Sequence, residues 1–254
     1  MESGERRVVE TELCAYSVEA CRIAREQGVL RAELCAAPAE GGVTPSAAAI
    51  VSAREIEGLR LHVMIRPRGG DFLYSDEEFS QMKCDIGFAR ECGADGVVVG
   101  ILTADGEVDV RRTAELVREA RGMDVTFHRA FDMTRDLPRA LEDVIATGCT
   151  RILTSGGCNT AAEGLGMLER LSELAGGRIK IMAGSGVNPR NAACIAAAGV
   201  DAVHFSARSV RRSGMVWRKA GISMGGCSDV PEYDRSEADA EIVAQIMAAL
   251  RQRQ

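Results

Sequence analysis

The sequence predicts a single (β/α)₈ barrel. Three observations predict it: eight short β-rich runs, a helical pattern after each of them, and no break in composition across the 254 residues. Strict alternation makes each pair of neighbouring strands parallel, with a right-handed crossover through the helix between them. A doubly wound sheet is the alternative, and eight units of closely matched spacing favour closure. The domain spans 1–254, with an extended loop over 206–237 after the eighth strand, expected to lie over the barrel mouth.

The eight runs are Val8–Cys14, Val29–Cys35, Leu61–Arg66, Gly96–Gly100, Asp124–His128, Arg151–Thr154, Arg178–Ala183 and Ala202–Phe205. Between them, Ser17–Glu26, Ala47–Ile56, Glu77–Glu91, Val110–Arg121, Leu137–Thr147, Ala161–Leu174 and Asn188–Ala198 read as helices, and Asp239–Arg251 ends the series. That last segment places Ile242, Ile246, Met247 and Leu250 on one stripe. Start signals support several of these. Thr44-Pro45-Ser46 offers a cap and a first-turn proline, and Ser75-Asp76-Glu77-Glu78 is a capping box. Gly28, Gly93, Gly148 and Gly199 each stand where a helix C-terminus turns toward the next strand.

A net charge of −6 argues against a nucleic-acid or membrane-surface partner. No apolar run approaches the ~20 residues that span a bilayer. The opening residues lack the apolar stretch of a secretory signal, and nine cysteines form no disulfide framework, so reduced thiols in the cytoplasm are expected. Cys21, Cys84, Cys92, Cys149 and Cys194, assigned to helices, are expected as buried packing residues.

The chemistry in such a barrel gathers at the C-terminal ends of the strands. The first two strands end alike, in Glu12-Leu13-Cys14 and Glu33-Leu34-Cys35. Side chains alternate along a strand, so Glu and Cys share a face in each copy, and adjacent strands should set both carboxylates and both thiols at similar heights. Two neighbouring thiolates suit a soft ion, and two ligands suit Cu(I) better than zinc, which takes four.

Other strand ends supply polar groups. Arg66 and Arg68 fit an anion clamp, or else ion pairs with Glu12, Glu33 or Asp71. His62 shares the face of Met64 and Arg66 and falls near the barrel floor as a structural residue. Ser155 opens the Gly156-Gly157 turn, and Gly184, Gly186 and Asn188 form the turn after the seventh strand. There, converging backbone N–H groups would accept a phosphate or carboxylate, or simply make a tight turn. Glu33 and His128 are the acid–base candidates, with His204 of similar standing to His128.

Several of these stretches resemble the CutC copper-homeostasis family. They are Glu33-Leu-Cys-Ala-Ala, Glu40-Gly-Gly-Val-Thr-Pro-Ser, Ile65-Arg-Pro-Arg-Gly-Gly-Asp-Phe, Thr126-Phe-His-Arg-Ala-Phe-Asp, Leu153-Thr-Ser-Gly-Gly and Met182-Ala-Gly-Ser-Gly-Val. The resemblance runs from about Glu10 to the last helix. It implies a cytoplasmic (β/α)₈ barrel that handles copper, with Cys14 and Cys35 as the Cu(I) thiols. Cys158 and Cys227 are further thiols expected near the mouth. Two functions therefore stand side by side. The first is a copper-homeostasis protein with Cu(I) on Cys14 and Cys35. The alternative is a barrel enzyme acting on a small phosphorylated or acidic substrate, held by Arg66, Arg68 and the glycine turns, with Glu33 and His128 as acid and base. The partner is a copper ion or a small anion, and a homo-oligomer is left open.

Overall fold

The computed structural model describes residues 9–222 and 232–251. Its eight parallel strands close into a barrel in chain order. They are β1 (Glu10–Ala15), β2 (Arg31–Leu34), β3 (Arg60–Met64), β4 (Gly96–Val99), β5 (Asp124–Phe127), β6 (Arg151–Thr154), β7 (Lys180–Ala183) and β8 (Ala202–Phe205). The helices that follow them are α1 (Val18–Glu26), α2 (Ala47–Arg54), α3 (Asp76–Glu91), α4 (Val110–Ala120), α5 (Leu137–Thr147), α6 (Leu165–Ala175), α7 (Ala192–Ala197) and α8 (Ala240–Arg251). The architecture is the (β/α)₈ barrel that the alternation predicts. No helix among the described residues is long and apolar enough to cross a membrane.

Period-two alternation divides the strand residues between two cores. Outward residues such as Leu13, Leu61, Val97, Phe127 and Ile152 join the helices in one large apolar layer. Inward residues make smaller clusters: Leu153, Met182 and Ala202 on one side, and Cys14, Cys35, Met64 and Val98 on the other. Other buried strand positions are polar, among them Glu12, Arg31, Glu33, His62, Thr126, Arg151 and His204.

The helix ends follow the local chemistry. Ser75 and Glu78 form the reciprocal capping box at the start of α3. Gly148 caps α5 at a φ of 85°, a conformation open to glycine at no steric cost. Two helices start later than the sequence suggests. At α7, Asn188 and Asn191 side chains bond to nearby backbone N–H groups and hold a turn, so the helix begins only at Ala192. At α6, Gly164 presses so close to the β6 turn that a Cβ would lie 1.9 Å from the Ser155 carbonyl oxygen, and the helix begins at Leu165.

Segment 206–237 contains more than a loop. Arg208–Arg212 (β9) and Asp234–Ala238 (β10) pair as an antiparallel ribbon. Cys227 lies outside the described residues. The eight described cysteines are all free thiols; Cys84 and Cys194 are exposed rather than buried, because each falls on the solvent side of its helix, and Cys92 at the end of α3 is only half-buried.

Candidate metal and anion site

The interior polar residues are set by strand register. Glu12 lies opposite Arg31 on β2 and opposite His204 across the β8–β1 seam that closes the barrel. The Arg31 Nε donates to Glu12, and His204 Nδ1 lies 2.8 Å from Glu12 Oε1. One step below, Glu10 accepts from Arg31 and Arg151, each at 3.1 Å, and from Lys180. Burial works against ionising Glu12, but the Arg31 guanidinium and the His204 ring hold its carboxyl well below the usual range. This lower layer is a compensated charge network.

One step above, register places Cys14 opposite Glu33, so Cys35 stands two positions farther along than its repeat partner. The two thiols are therefore not level, because neighbouring barrel strands are staggered by the shear of the sheet. They still belong to one buried cluster with Met64 and Val98. The Cys35 thiol and the His204 ring hold Cys14 well below the usual thiol range, against its burial. Burial pushes Cys35 well above that range. Ligand atoms of Cys14, Glu33 and His204 all lie within 4.8 Å of one another. Burial opposes charge on His204, yet Glu33, Cys14 and Glu12 around it hold its pKa well above the imidazole norm. Burial raises the Glu33 carboxyl against the pull of His204, and Glu33 Oε1 has no hydrogen-bond partner. With Nδ1 turned to a carboxylate, His204 presents Nε2 to the Cys14–Glu33 side, the orientation that a metal-binding imidazole takes.

Cys14, Glu33 and His204 line a cavity of about 510 Å³ at the C-terminal ends of the strands, shared with Arg66, Phe72 and His128, and Cys35 lies behind its wall. The Arg66 guanidinium is 5.0 Å from the Phe72 ring centre, and the Phe72 and His128 rings are 5.0 Å apart. Arg66 donates to the carbonyls of Glu40, Gly42 and Gly70 and is paired with neither Glu12 nor Glu33. Arg68 is turned away from the cavity, where it holds Asp71 and Glu78 and stacks on Tyr74. His128 accepts from the Ala130 N–H through Nδ1, which places its proton on Nε2. Burial pushes the His128 pKa down to about 3, so the ring is neutral. Ser155, with its backbone N–H and hydroxyl, holds the Asp132 carboxylate, which Gly157 N–H also reaches at 3.0 Å. A protein carboxylate thus occupies the β6 turn. Gly186 lines the cavity. Gly184 packs against Leu153 and His204, where a Cβ would meet Leu153 at 2.6 Å. Asn188 is used within its own turn, donating to the Gly186 carbonyl at 3.1 Å.

His204 is the residue whose place the sequence hides. Nothing near it in the chain marks it apart from His128, and its partner Glu12 is 192 positions away across the closing seam.

The family model described as the CutC family matches residues 9–209. The chain belongs to the CutC family. The family protein CutC of Chromobacterium violaceum is 51% identical over 240 residues, covering 94% of this chain and 97% of that protein. Its counterpart in Bacteroides thetaiotaomicron is 49% identical over 242 residues, with 94% and 97% covered. Among solved structures, a CutC of Streptococcus agalactiae named for copper homeostasis is 35% identical, with a TM-score of 0.75 over 78% of this chain and 98% of that one. Cys14, Glu33, Cys35, Arg66, His128 and His204 all lie inside the matched span.

Proposed function

We propose that this CutC-family chain binds one Cu(I) ion at the barrel mouth through Cys14 and Cys35, with His204 Nε2 as a third donor, and serves copper homeostasis in the cytoplasm. The observation that carries the reading is the donor set itself. Two thiols share a buried cluster with a methionine, and a carboxylate-anchored imidazole faces one of them. Soft sulfur donors and an imidazole suit Cu(I), and the Glu12–His204 bond fixes the ring for a metal in the way second-shell carboxylates do. Glu33 Oε1, buried without a partner, adds a polar group that a bound cation would satisfy. A compartment that keeps thiols reduced fits this use of cysteine.

Copper supplies the soft Lewis acid in this reading, and the protein supplies what surrounds it. Cys14, the readier thiolate, would hold the ion together with Cys35 and His204, both of which would have to lose a proton to act as ligands, so binding would release protons. Anaerobic Cu(I) titration against a competing chelator tests this. About one ion per chain is expected by the two-thiolate argument. Cys14→Ser should abolish binding while the far-ultraviolet dichroism and melting cooperativity are retained. His204→Gln should weaken binding by roughly 10–100-fold, the usual effect at a metal-ordering position. Unchanged stoichiometry in Cys14→Ser would place copper elsewhere.

A further inference from the structure

We propose that the Arg66–Phe72–His128 wall of the mouth cavity is a separate binding site for the oxyanion of a small organic molecule, either a phosphate ester or a carboxylate. Copper binding makes no use of this wall.

Arg66 is 6% exposed, its two terminal nitrogens donate to the Glu40, Gly42 and Gly70 carbonyls, and its buried Nε has no hydrogen-bond partner. Among the described residues it has no carboxylate partner. The contrast with the other interior arginines is direct, because Arg31 and Arg151 both reach Glu10. A buried cation without a counter-charge is costly to keep, and an anion in the adjoining cavity removes that cost. Carbonyl oxygens fix the fork in place but do not neutralise it.

His128 supplies the second, independent observation. It is 4% exposed, it lines the same cavity, and Nε2 has no hydrogen-bond partner. Since Nδ1 accepts from Ala130, Nε2 carries the proton and needs an acceptor. Gly100 makes room for this ring: a Cβ there would stand 2.3 Å from His128 Cε1. Phe72, packed beside both groups, keeps guanidinium and imidazole in one wall. Positive charge and a neutral N–H donor on one side of a cavity match a ligand oxygen that carries partial or full negative charge. The arrangement selects an oxyanion over a neutral apolar molecule, and the cavity volume suits a small ligand.

The chain's three histidines make the test readable by nitrogen-15 NMR of the imidazole rings. The metal-free Cys14→Ser/Cys35→Ser protein serves as parent, so the outcome is independent of copper binding. Inorganic phosphate and acetate are titrated separately, with chloride at matched ionic strength as control. We expect at least one of the two oxyanions to shift the His128 Nε2 signal saturably, while chloride does not. Whichever oxyanion binds more tightly identifies the ligand class. His128→Asn keeps a side-chain acceptor for the Ala130 N–H but withdraws the ring donor, and it should weaken oxyanion binding about tenfold, read by calorimetry. Arg66→Gln should weaken it at least as much. If that variant fails to fold, His128→Asn alone decides. A His128 signal that responds to phosphate and acetate no more than to chloride would overturn the proposal. So would undiminished binding in His128→Asn.

Discussion

The two ends of the barrel interior hold polar groups in opposite ways. At the floor, Arg31 and Arg151 are almost fully buried, yet each reaches Glu10, and Arg31 also reaches Glu12. His62 sits in the same layer, and its pKa is pushed down to about 4 by burial. At the mouth, the unpartnered buried atoms, Glu33 Oε1, Arg66 Nε and His128 Nε2, belong to residues that line a cavity, and the Arg66 charge meets backbone carbonyls and the Phe72 ring but no carboxylate among the described residues. The floor is closed in charge, since its arginines meet carboxylates, although His62 Nδ1 and Nε2 and Arg151 Nε also lack hydrogen-bond partners. The mouth is open chemistry, and unsatisfied polar groups in a cavity are where a ligand gains most. Glu12 joins the two, since it takes Arg31 from one neighbouring strand and His204 from the other.

The largest effect is expected from removing a floor cation. Arg31→Met leaves Glu12 without its guanidinium in a fully buried setting and deprives Glu10 of one partner. We expect a stability loss of about 3–5 kcal/mol in urea unfolding, the usual result of stranding a buried charge. A loss below about 1 kcal/mol would mean that water or a proton replaces Arg31 freely, and the floor would not be closed.

The next test uses two glycines, one that opens β4 and one that directly follows it. Gly96 and Gly100 flank the inward Val98 of β4, and each leaves room for a histidine. A Cβ at Gly96 would stand 2.6 Å from His62 Nε2, and one at Gly100 would stand 2.4 Å from His128 Nδ1. Both Gly96→Ala and Gly100→Ala should cost about 1–3 kcal/mol by overpacking. Their effects on ligands should separate. Gly96→Ala should leave Cu(I) and phosphate affinity unchanged, whereas Gly100→Ala should displace the His128 ring and weaken phosphate binding. Equal loss of phosphate binding in both would show that the two ends are mechanically coupled.

Much of this contrast lies in features that a sequence does not encode locally. The alternation of strands and helices was legible, and β6 and β8 have the bounds read from the chain, because Arg151–Thr154 and Ala202–Phe205 are short apolar runs with clear turns on both sides. The repeated Glu-Leu-Cys pointed to a shared inner surface for the same reason. Stagger was not legible. The shear that sets Cys14 beside Glu33 instead of Cys35 belongs to the closed sheet and to no single strand. The β8–β1 seam likewise brings His204 to Glu12 only after the chain has closed. Arg66 and Arg68 look equivalent in Ile65-Arg-Pro-Arg-Gly-Gly, yet the turn after β3 sends Arg68 outward to Glu78. The ribbon of β9 and β10 has no short turn signal and is separated by many residues, so it reads as loop.

The smallest expected effect comes from an arginine whose bonds look as good as those of Arg31 but whose surroundings differ. Arg178 grips Glu142 with two bonds of 2.7 Å, and the side chains are 47% and 55% exposed. Water already solvates both ions, so little desolvation is recovered when they meet, and side-chain entropy opposes the geometry. Arg178→Ala should therefore cost about 0.2–1 kcal/mol in urea unfolding. Part of that belongs to its bonds with the Leu174 and Ala175 carbonyls at the end of α6. The ion-pair share should fade at about 1 M salt, where the screening length is near 3 Å, while the Arg31→Met loss persists because its partners are out of solvent. A salt-insensitive loss of about 2 kcal/mol or more at Arg178 would show that hydrogen-bond geometry, and not burial, sets the worth of a charge pair in this barrel. The division between floor and mouth would then have to be redrawn on geometry alone.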